Sequence, residues 1–234
     1  METTPFILKE FKPFSLNTKV SQVKLFFKET TFSHFPIVEN KTLIGLISEI
    51  DIEGIDDNEK QLDDLNYLFN LFFAEETENL LELIKVFAAN EANLIPVVKE
   101  NNNYIGYLDL TDILNFYNET HFLKSEGIVL LLEKEIQDFS FSQVCQIVES
   151  NNGKILGLFI TETTGAIVKI TIKFNSQDIN EIIQTFRRYN YNVISKHKED
   201  FYLYPAATKF HHAYISGLAY HTHSMLKLAE GFFT

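Results

Sequence analysis

Two patterns in this chain hold residues that could do chemistry. The first is Gly45-x-x-Ser48-x-x-Asp51, which returns as Gly106-x-x-Asp109-x-x-Asp112. Hydroxyls donate and accept hydrogen bonds and carboxylates accept them, so such a pair can hold a polar ligand. The same spacing also serves a helix. An Asp in the first turn is stabilised by the positive end of the helix dipole, and Asp51 and Asp112 read equally well as capping residues. The second pattern is a histidine cluster, with four of the seven His between positions 211 and 223. Two ligands share a helix face at i, i+4, and no pair among His211, His212, His221 and His223 has that spacing. A metal site made by this segment alone is not expected. The chain has no P-loop, G-x-S-x-G, C-x-x-C or H-E-x-x-H, so no complete nucleophile-and-base or metal set can be assembled.

The elements that must position the first pattern repeat with it. Residues 33–52 and 92–113 are two copies of one unit, with Pro36 answering Pro96, Gly45 answering Gly106 and Asp51 answering Asp112. Each reads as strand, turn and strand, and the second turn is one residue longer. An amphipathic helix precedes each unit: Val20, Val23 and Phe27 in copy one, with Asn17 and Thr18 as N-caps, and Leu80, Leu81, Ile84, Phe87 and Ala88 in copy two. A second helix follows each Gly-containing strand, carrying Leu110, Ile113, Leu114 and Tyr117 in copy two. Neither copy alone covers both faces of its strands, so the two are expected to pack as one pseudo-symmetric domain.

Phe35-Pro36-Ile37 and Ile95-Pro96-Val97, each followed by Gly-x-x-Ser/Asp-x-x-Asp, resemble a pair of CBS domains over residues 1–120. The resemblance implies an adenosine-containing ligand between the repeats. Ser48 and Asp51 would hold a ribose, backbone beside Phe35-Pro36-Ile37 would meet adenine, and Gly45 would open the turn. In copy two, Ile95, Pro96, Val97, Gly106 and Asp112 fill the same roles. Asp109 stands where Ser or Thr is expected, and its charge disfavours a nearby phosphate.

Charge sharpens that expectation. Residues 1–120 hold 9 Lys and Arg against 21 Asp and Glu, whereas residues 121–234 hold 11 of each. All of the net charge of −12 lies in the first half, which makes it a poor partner for nucleic acid. Among adenosine derivatives, AMP, S-adenosylmethionine or adenosine should then bind better than ATP unless Mg accompanies it. With 45% hydrophobic residues, 5 Pro and a lone Cys145, the chain is neither disordered nor a disulfide scaffold. Its longest aliphatic run, residues 128–132, is far short of the roughly 20 residues of a membrane span. A cytoplasmic protein is expected.

From Gly127 the periodicity changes. Residues 127–135 read as a buried strand, Ser140 to Gln143 as a capping box opening a helix, and residues 155–161 and 166–174 as two strands. Ile179, Ile182, Ile183 and Phe186 mark a second helix, and residues 191–197 a last strand. This order, βαββαβ, is the ferredoxin-like arrangement. Residues 121–199 resemble an ACT-type domain, and the whole then resembles the acetoin-utilisation-type regulators. ACT sites commonly use a Gly-containing loop after the first strand, and residues 133–142 contain no Gly. The domain is therefore expected to dimerise through its sheet edge or helices. Residues 201–230 resemble a fragment of the HD domain of bacterial 3′–5′ exoribonucleases, in which His221 would be one metal ligand. No His-Asp dipeptide accompanies it, and one ligand cannot organise a catalytic metal. An amphipathic helix is the plainer reading of residues 200–234.

The expectation as a whole is an α+β protein in three parts, 1–120, 121–199 and 200–234. It is a homodimeric, non-enzymatic sensor of a nucleotide that needs no cofactor. A structural dimerisation module with empty clefts is the alternative.

Overall fold

In the computed structural model, residues 3–194 are described, and the chain divides into two units, Met1–Glu119 and Thr120–Thr234. The expectations for residues 195–234, His221 and the histidine cluster included, lie outside the described residues.

The first unit runs α1 (Val20–Glu29), β1 (His34–Glu39), β2 (Thr42–Ser48), α2 (Glu49–Glu53), β3 (Ala74–Glu75), α3 (Leu80–Ala89), β4 (Leu94–Lys99), β5 (Asn103–Asp109) and α4 (Leu110–Asn118). Its single sheet has the order β1-β2-β5-β4-β3. Each repeat is helix, hairpin, helix. The hairpins turn on residues with positive φ, Asn40 and Lys41 in copy one and Asn101 and Asn102 in copy two, which is the geometry that tight hairpins select. Both hairpins also bulge at the same place, between Ile37 and Val38 and between Val97 and Val98.

Packing of the helices differs from the simplest reading of the pattern. α1 buries Val20, Val23 and Phe27, and α3 buries Leu80, Leu83 and Phe87. Leu81 is 61% exposed and Ile84 36%. The stretch LLELI is apolar on two sides, and the i, i+3, i+7 set that includes Leu83 is the one turned to the sheet. α1 is capped by Lys19, not by Asn17 or Thr18. Thr18 Oγ1 accepts the Ser15 N–H at 3.0 Å, and Gln22 Oε1 accepts the Lys19 N–H at 3.1 Å.

Gly45 and Gly106 do not open turns. Each sits within the second strand of its hairpin, where another segment crosses close by. Leu8 exchanges backbone hydrogen bonds with Tyr107, and Asn70 does so with Leu46. A Cβ on Gly106 would meet Leu8 O and Ile7 Cγ2 at 2.5 Å, and its φ is +146°. A Cβ on Gly45 would meet Phe69 Cβ at 3.0 Å and Asn70 O at 3.1 Å. The segment before repeat one thus lies on repeat two, and the segment between the repeats lies back on repeat one.

The second unit runs α5 (His121–Lys124), β6 (Ile128–Glu135), α6 (Phe141–Ser150), β7 (Lys154–Thr164), β8 (Ile167–Asn175), α7 (Ile179–Arg188) and β9 (Asn192–Ile194), with sheet order β7-β8-β6-β9. Neighbouring strands are antiparallel, which completes the ferredoxin-like βαββαβ topology. Val144, Ile147 and Val148 of α6 and Ile182, Ile183 and Phe186 of α7 form one core with Leu130 and Leu132 of β6 and Ile170 and Ile172 of β8. Lys134 also points inward. Its Nζ donates to Tyr189 O at the end of α7 and lies 4.4 Å from the Tyr191 ring centroid, a cation placed at the negative end of a helix. The expected capping box is not made: Ser140 is the N-cap without a side-chain bond, and Gln143 Oε1 is buried without a partner.

Candidate functional site

The candidate site residues fall where each hairpin passes into its second helix. In copy one Ser48 ends β2 and caps α2. Its Oγ accepts the Asp51 N–H at 3.0 Å and donates to Asp51 Oδ2 at 2.6 Å. The Ser is therefore the N-cap and Asp51 lies within the first turn, so the two close on each other. In copy two Asp109 takes the cap, accepting the Thr111 N–H at 2.7 Å, with Asp112 in the first turn.

Phe35, Ile37, Ile95 and Val97 are fully buried, so only the backbone around Pro36 and Pro96 could meet a ligand. Part of that backbone is already engaged. Phe14 N–H donates to Pro36 O at 2.9 Å, and Val38 N–H donates to Phe14 O at 2.8 Å. In copy two β3 takes this place, Ala74 pairing in parallel with Val97.

Residues that the sequence reading did not single out complete each cluster. His34 is the cross-strand neighbour of Ser48. Its Nδ1 is 3.0 Å from Ser33 Oγ, and its ring meets the edge of Phe72 at 5.5 Å. Burial lowers the His34 pKa below its ordinary value, and the Asp51 carboxylate offsets part of that effect. The signal was available: His34 stands two residues before Pro36, opposite Ser48 in any regular hairpin.

Copy two has Leu94 in the equivalent place, paired with Asp109. Tyr107, two residues before Asp109, is fully buried against Phe32 and Phe35 of copy one. Burial raises the Tyr107 pKa most, followed by the charges of Glu10, Asp109 and Asp112. The two clusters therefore differ in chemistry. Copy one offers a hydroxyl, an imidazole and the first-turn carboxylates of Glu49 and Asp51; copy two offers the carboxylates of Asp109 and Asp112.

The second unit has a cleft of about 970 Å³, lined by Asn151, Asn152, Lys154, Asn175 and Gln177 among others. Three acids, Glu126, Asp178 and Glu181, also line it, and Asp178 is already bonded to the N–H groups of Asn180 and Glu181 as the N-cap of α7. Among the described residues no group of three or more His, Cys, Asp or Glu could hold a metal ion, and no helix is long and apolar enough to cross a membrane.

The family comparison bears on the first unit. Residues 6–54 and 69–119 match the family model described as CBS domain. An uncharacterised protein of Methanocaldococcus jannaschii is 28% identical over 148 residues, which cover 59% of this chain and 56% of that one. The 3′-5′ exoribonuclease YhaM of Geobacillus sp. is 53% identical over 51 residues, 22% of this chain and 15% of the enzyme. This chain thus spans about half the length of the first relative and a small part of the second. Among solved structures, a CBS domain pair/ACT domain protein from Thermotoga maritima is similar at 17% identity and a TM-score of 0.46, covering 51% of this chain and 98% of that one.

Proposed function

We propose, on the premise that the two matched segments make the first unit a CBS domain pair, that the protein is a non-enzymatic regulator sensing an adenosine-containing ligand in its first repeat. The observation that carries this reading is the Ser48–Asp51 pair at the β2–α2 junction, 2.6 Å apart. A carboxylate has about four acceptor sites, so Asp51 can accept from Ser48 and from a ribose hydroxyl together. The backbone beside Pro36 would meet adenine. The imidazole of His34, held neutral by burial, can offer a phosphate an N–H, whereas Leu94 stands in its place in copy two. AMP, adenosine or S-adenosylmethionine are the preferred ligands, with ATP binding when Mg accompanies it. The protein works as a cytoplasmic homodimer, and the βαββαβ unit serves as an ACT-like dimerisation module.

The closed Ser48–Asp51 pair is also what favours the second reading, a structural module whose clefts stay empty, because the pair is already a satisfied helix cap. The 51-residue match to YhaM raises a third, a piece of a metal-dependent exoribonuclease; a single metal ligand at His221 does not support hydrolysis.

Thermal shift separates the first two readings. A ligand at a hundred times its dissociation constant stabilises a fold by about 2.7 kcal/mol. Adenosine, AMP, S-adenosylmethionine, and ATP with and without Mg should be tested on the full chain. A melting temperature that none of them moves would replace the sensor with the structural module.

A further inference from the structure

One hydroxyl proton, on Ser33, lies between the second repeat and the imidazole of His34. Asn93 Oδ1 accepts the Ser33 N–H at 2.8 Å, and Asn93 Nδ2 donates to Thr31 O at 2.6 Å. A backbone N–H only donates and a carbonyl only accepts, so these partners fix the orientation of the Asn93 amide. The Asn93 N–H donates to Ser33 Oγ at 3.1 Å. The hydroxyl then has a single proton for two remaining neighbours, Asn93 Oδ1 at 3.1 Å and His34 Nδ1 at 3.0 Å.

Two arrangements satisfy these groups. In the first, Ser33 donates to Asn93 Oδ1, so Nδ1 must carry the imidazole proton and give it to Ser33 Oγ, and Nε2 is left a bare acceptor. In the second, Ser33 donates to Nδ1, and the proton sits on Nε2. The first makes one hydrogen bond more, because the Ser33 hydroxyl and Nδ1 both donate. Asp51 acts on this ring by its charge, and its carboxylate is bonded to Ser48. Copy two has no counterpart, since Leu94 stands in the place of His34.

We infer that Ser33 and Asn93 are positioning residues that hold neutral His34 in its Nδ1–H form, so that the first repeat at rest presents Nε2 as an acceptor. The inference rests on the sensor reading above and ranks its ligands. A group that donates, such as a hydroxyl of adenosine or the ammonium of S-adenosylmethionine, meets a bare Nε2 without rearrangement. A phosphate needs an N–H there, which neutral His34 supplies only when the Ser33 hydroxyl turns from Asn93 to Nδ1 and gives up a hydrogen bond. Asn93, a residue of the second repeat, thereby sets the selectivity of the first.

NMR of the full-length chain, labelled with nitrogen-15 in its histidines, tests this. The His34 signals are assigned by their loss in His34→Gln. At about pH 8, where the ring is neutral, the unliganded native chain should carry the proton on Nδ1. Asn93→Ala leaves the Ser33 hydroxyl with Nδ1 as its acceptor, so the proton should move to Nε2. The affinity for AMP relative to adenosine, measured by titration calorimetry, should then rise about 5-fold, the worth of one neutral hydrogen bond. A merely structural Asn93 would lower stability without moving either readout. A native chain with its proton on Nε2, or an Asn93→Ala variant with an unchanged tautomer, overturns the inference and leaves the sensor reading intact. Failure of every adenosine derivative to bind overturns the sensor reading, and the ranking of ligands with it. Should Asn93→Ala fail to fold, Ser33→Ala removes the acceptor of the Nδ1–H and should show the same rise, whereas Ser33→Thr keeps the hydroxyl and the native ratio. Equal ratios in those two variants count against the inference.

Discussion

Ser33 and Asn93, equivalent residues of the two repeats, exchange hydrogen bonds across the pseudo-symmetry axis. The Ser33 N–H donates to Asn93 Oδ1 at 2.8 Å, and the Asn93 N–H donates to Ser33 Oγ at 3.1 Å. Each carbonyl then receives the helix that follows its hairpin: Glu49 N–H donates to Ser33 O, and Leu110 N–H to Asn93 O, both at 2.9 Å. The joint between the repeats and the start of the site helices are one network.

Asn93→Ala removes the acceptor for both Ser33 groups and the amide that donates to Thr31 O. Leaving a part-buried N–H without its partner costs about 1–3 kcal/mol. Urea unfolding should show a lower midpoint at unchanged slope. A loss below about 0.5 kcal/mol would mean that water takes over the joint.

The two strand glycines should differ in sensitivity. Gly106→Ala meets backbone and a side chain at 2.5 Å in a left-handed conformation, whereas Gly45→Ala meets its neighbours at 3.0 and 3.1 Å. We expect a cost of about 3 kcal/mol or more at Gly106 and about 1–2 kcal/mol at Gly45. Equal melting temperatures for the two variants would contradict the crossing geometry.

His34 gives the fold a pH dependence of known sign. Its folded-state pKa lies below 6.5, mainly through burial, so between that lowered value and 6.5 the unfolded chain binds more protons. The stability it contributes is present above pH 6.5 and is lost as pH falls from there through the folded value. Subtracting the stability of His34→Gln from that of the native protein across pH 4–8 should leave a difference that rises with pH up to about 6.5 and is flat above. A flat difference throughout would show that His34 is not held in its neutral form.

Asp51→Ala should abolish any thermal shift produced by AMP, and Asp112→Ala should reduce it far less, because Asp112 stands beside the capping Asp109. Without ligand, Asp51→Ala also loses the Ser48 hydrogen bond, worth about 1 kcal/mol. The shift is therefore compared against each variant's own unliganded melting curve. An undiminished shift in Asp51→Ala would remove this carboxylate from the site.

The register of the repeat could be read directly, since Pro36 with Pro96 and Asp51 with Asp112 mark it in the chain itself, and the alternation of Val168, Ile170, Ile172 and Phe174 marks β8 as clearly. What could not be read were choices made by tertiary contact. Gly45 and Gly106 looked like turn residues because the crossing segments lie tens of residues away in sequence. Leu81 and Leu83 are adjacent apolar options, and only the sheet beneath α3 decides between them. In the site, the motif pointed to Ser48 and Asp51 but not to their bond with each other, nor to His34 and Phe72, which belong to different strands and linkers.

The crossing of Leu8 onto Tyr107 also sets an order on biogenesis. These residues are joined by two backbone hydrogen bonds across nearly the whole first unit, and long-range pairing closes slowly because loop entropy must be overcome first. During synthesis repeat one emerges with its opening segment still waiting for β5. The nascent chain therefore holds Phe6, Ile7 and Leu8 unsheltered until β5, and for Phe6 also Phe116 of α4, has cleared the ribosome, an interval in which exposed apolar surface favours aggregation.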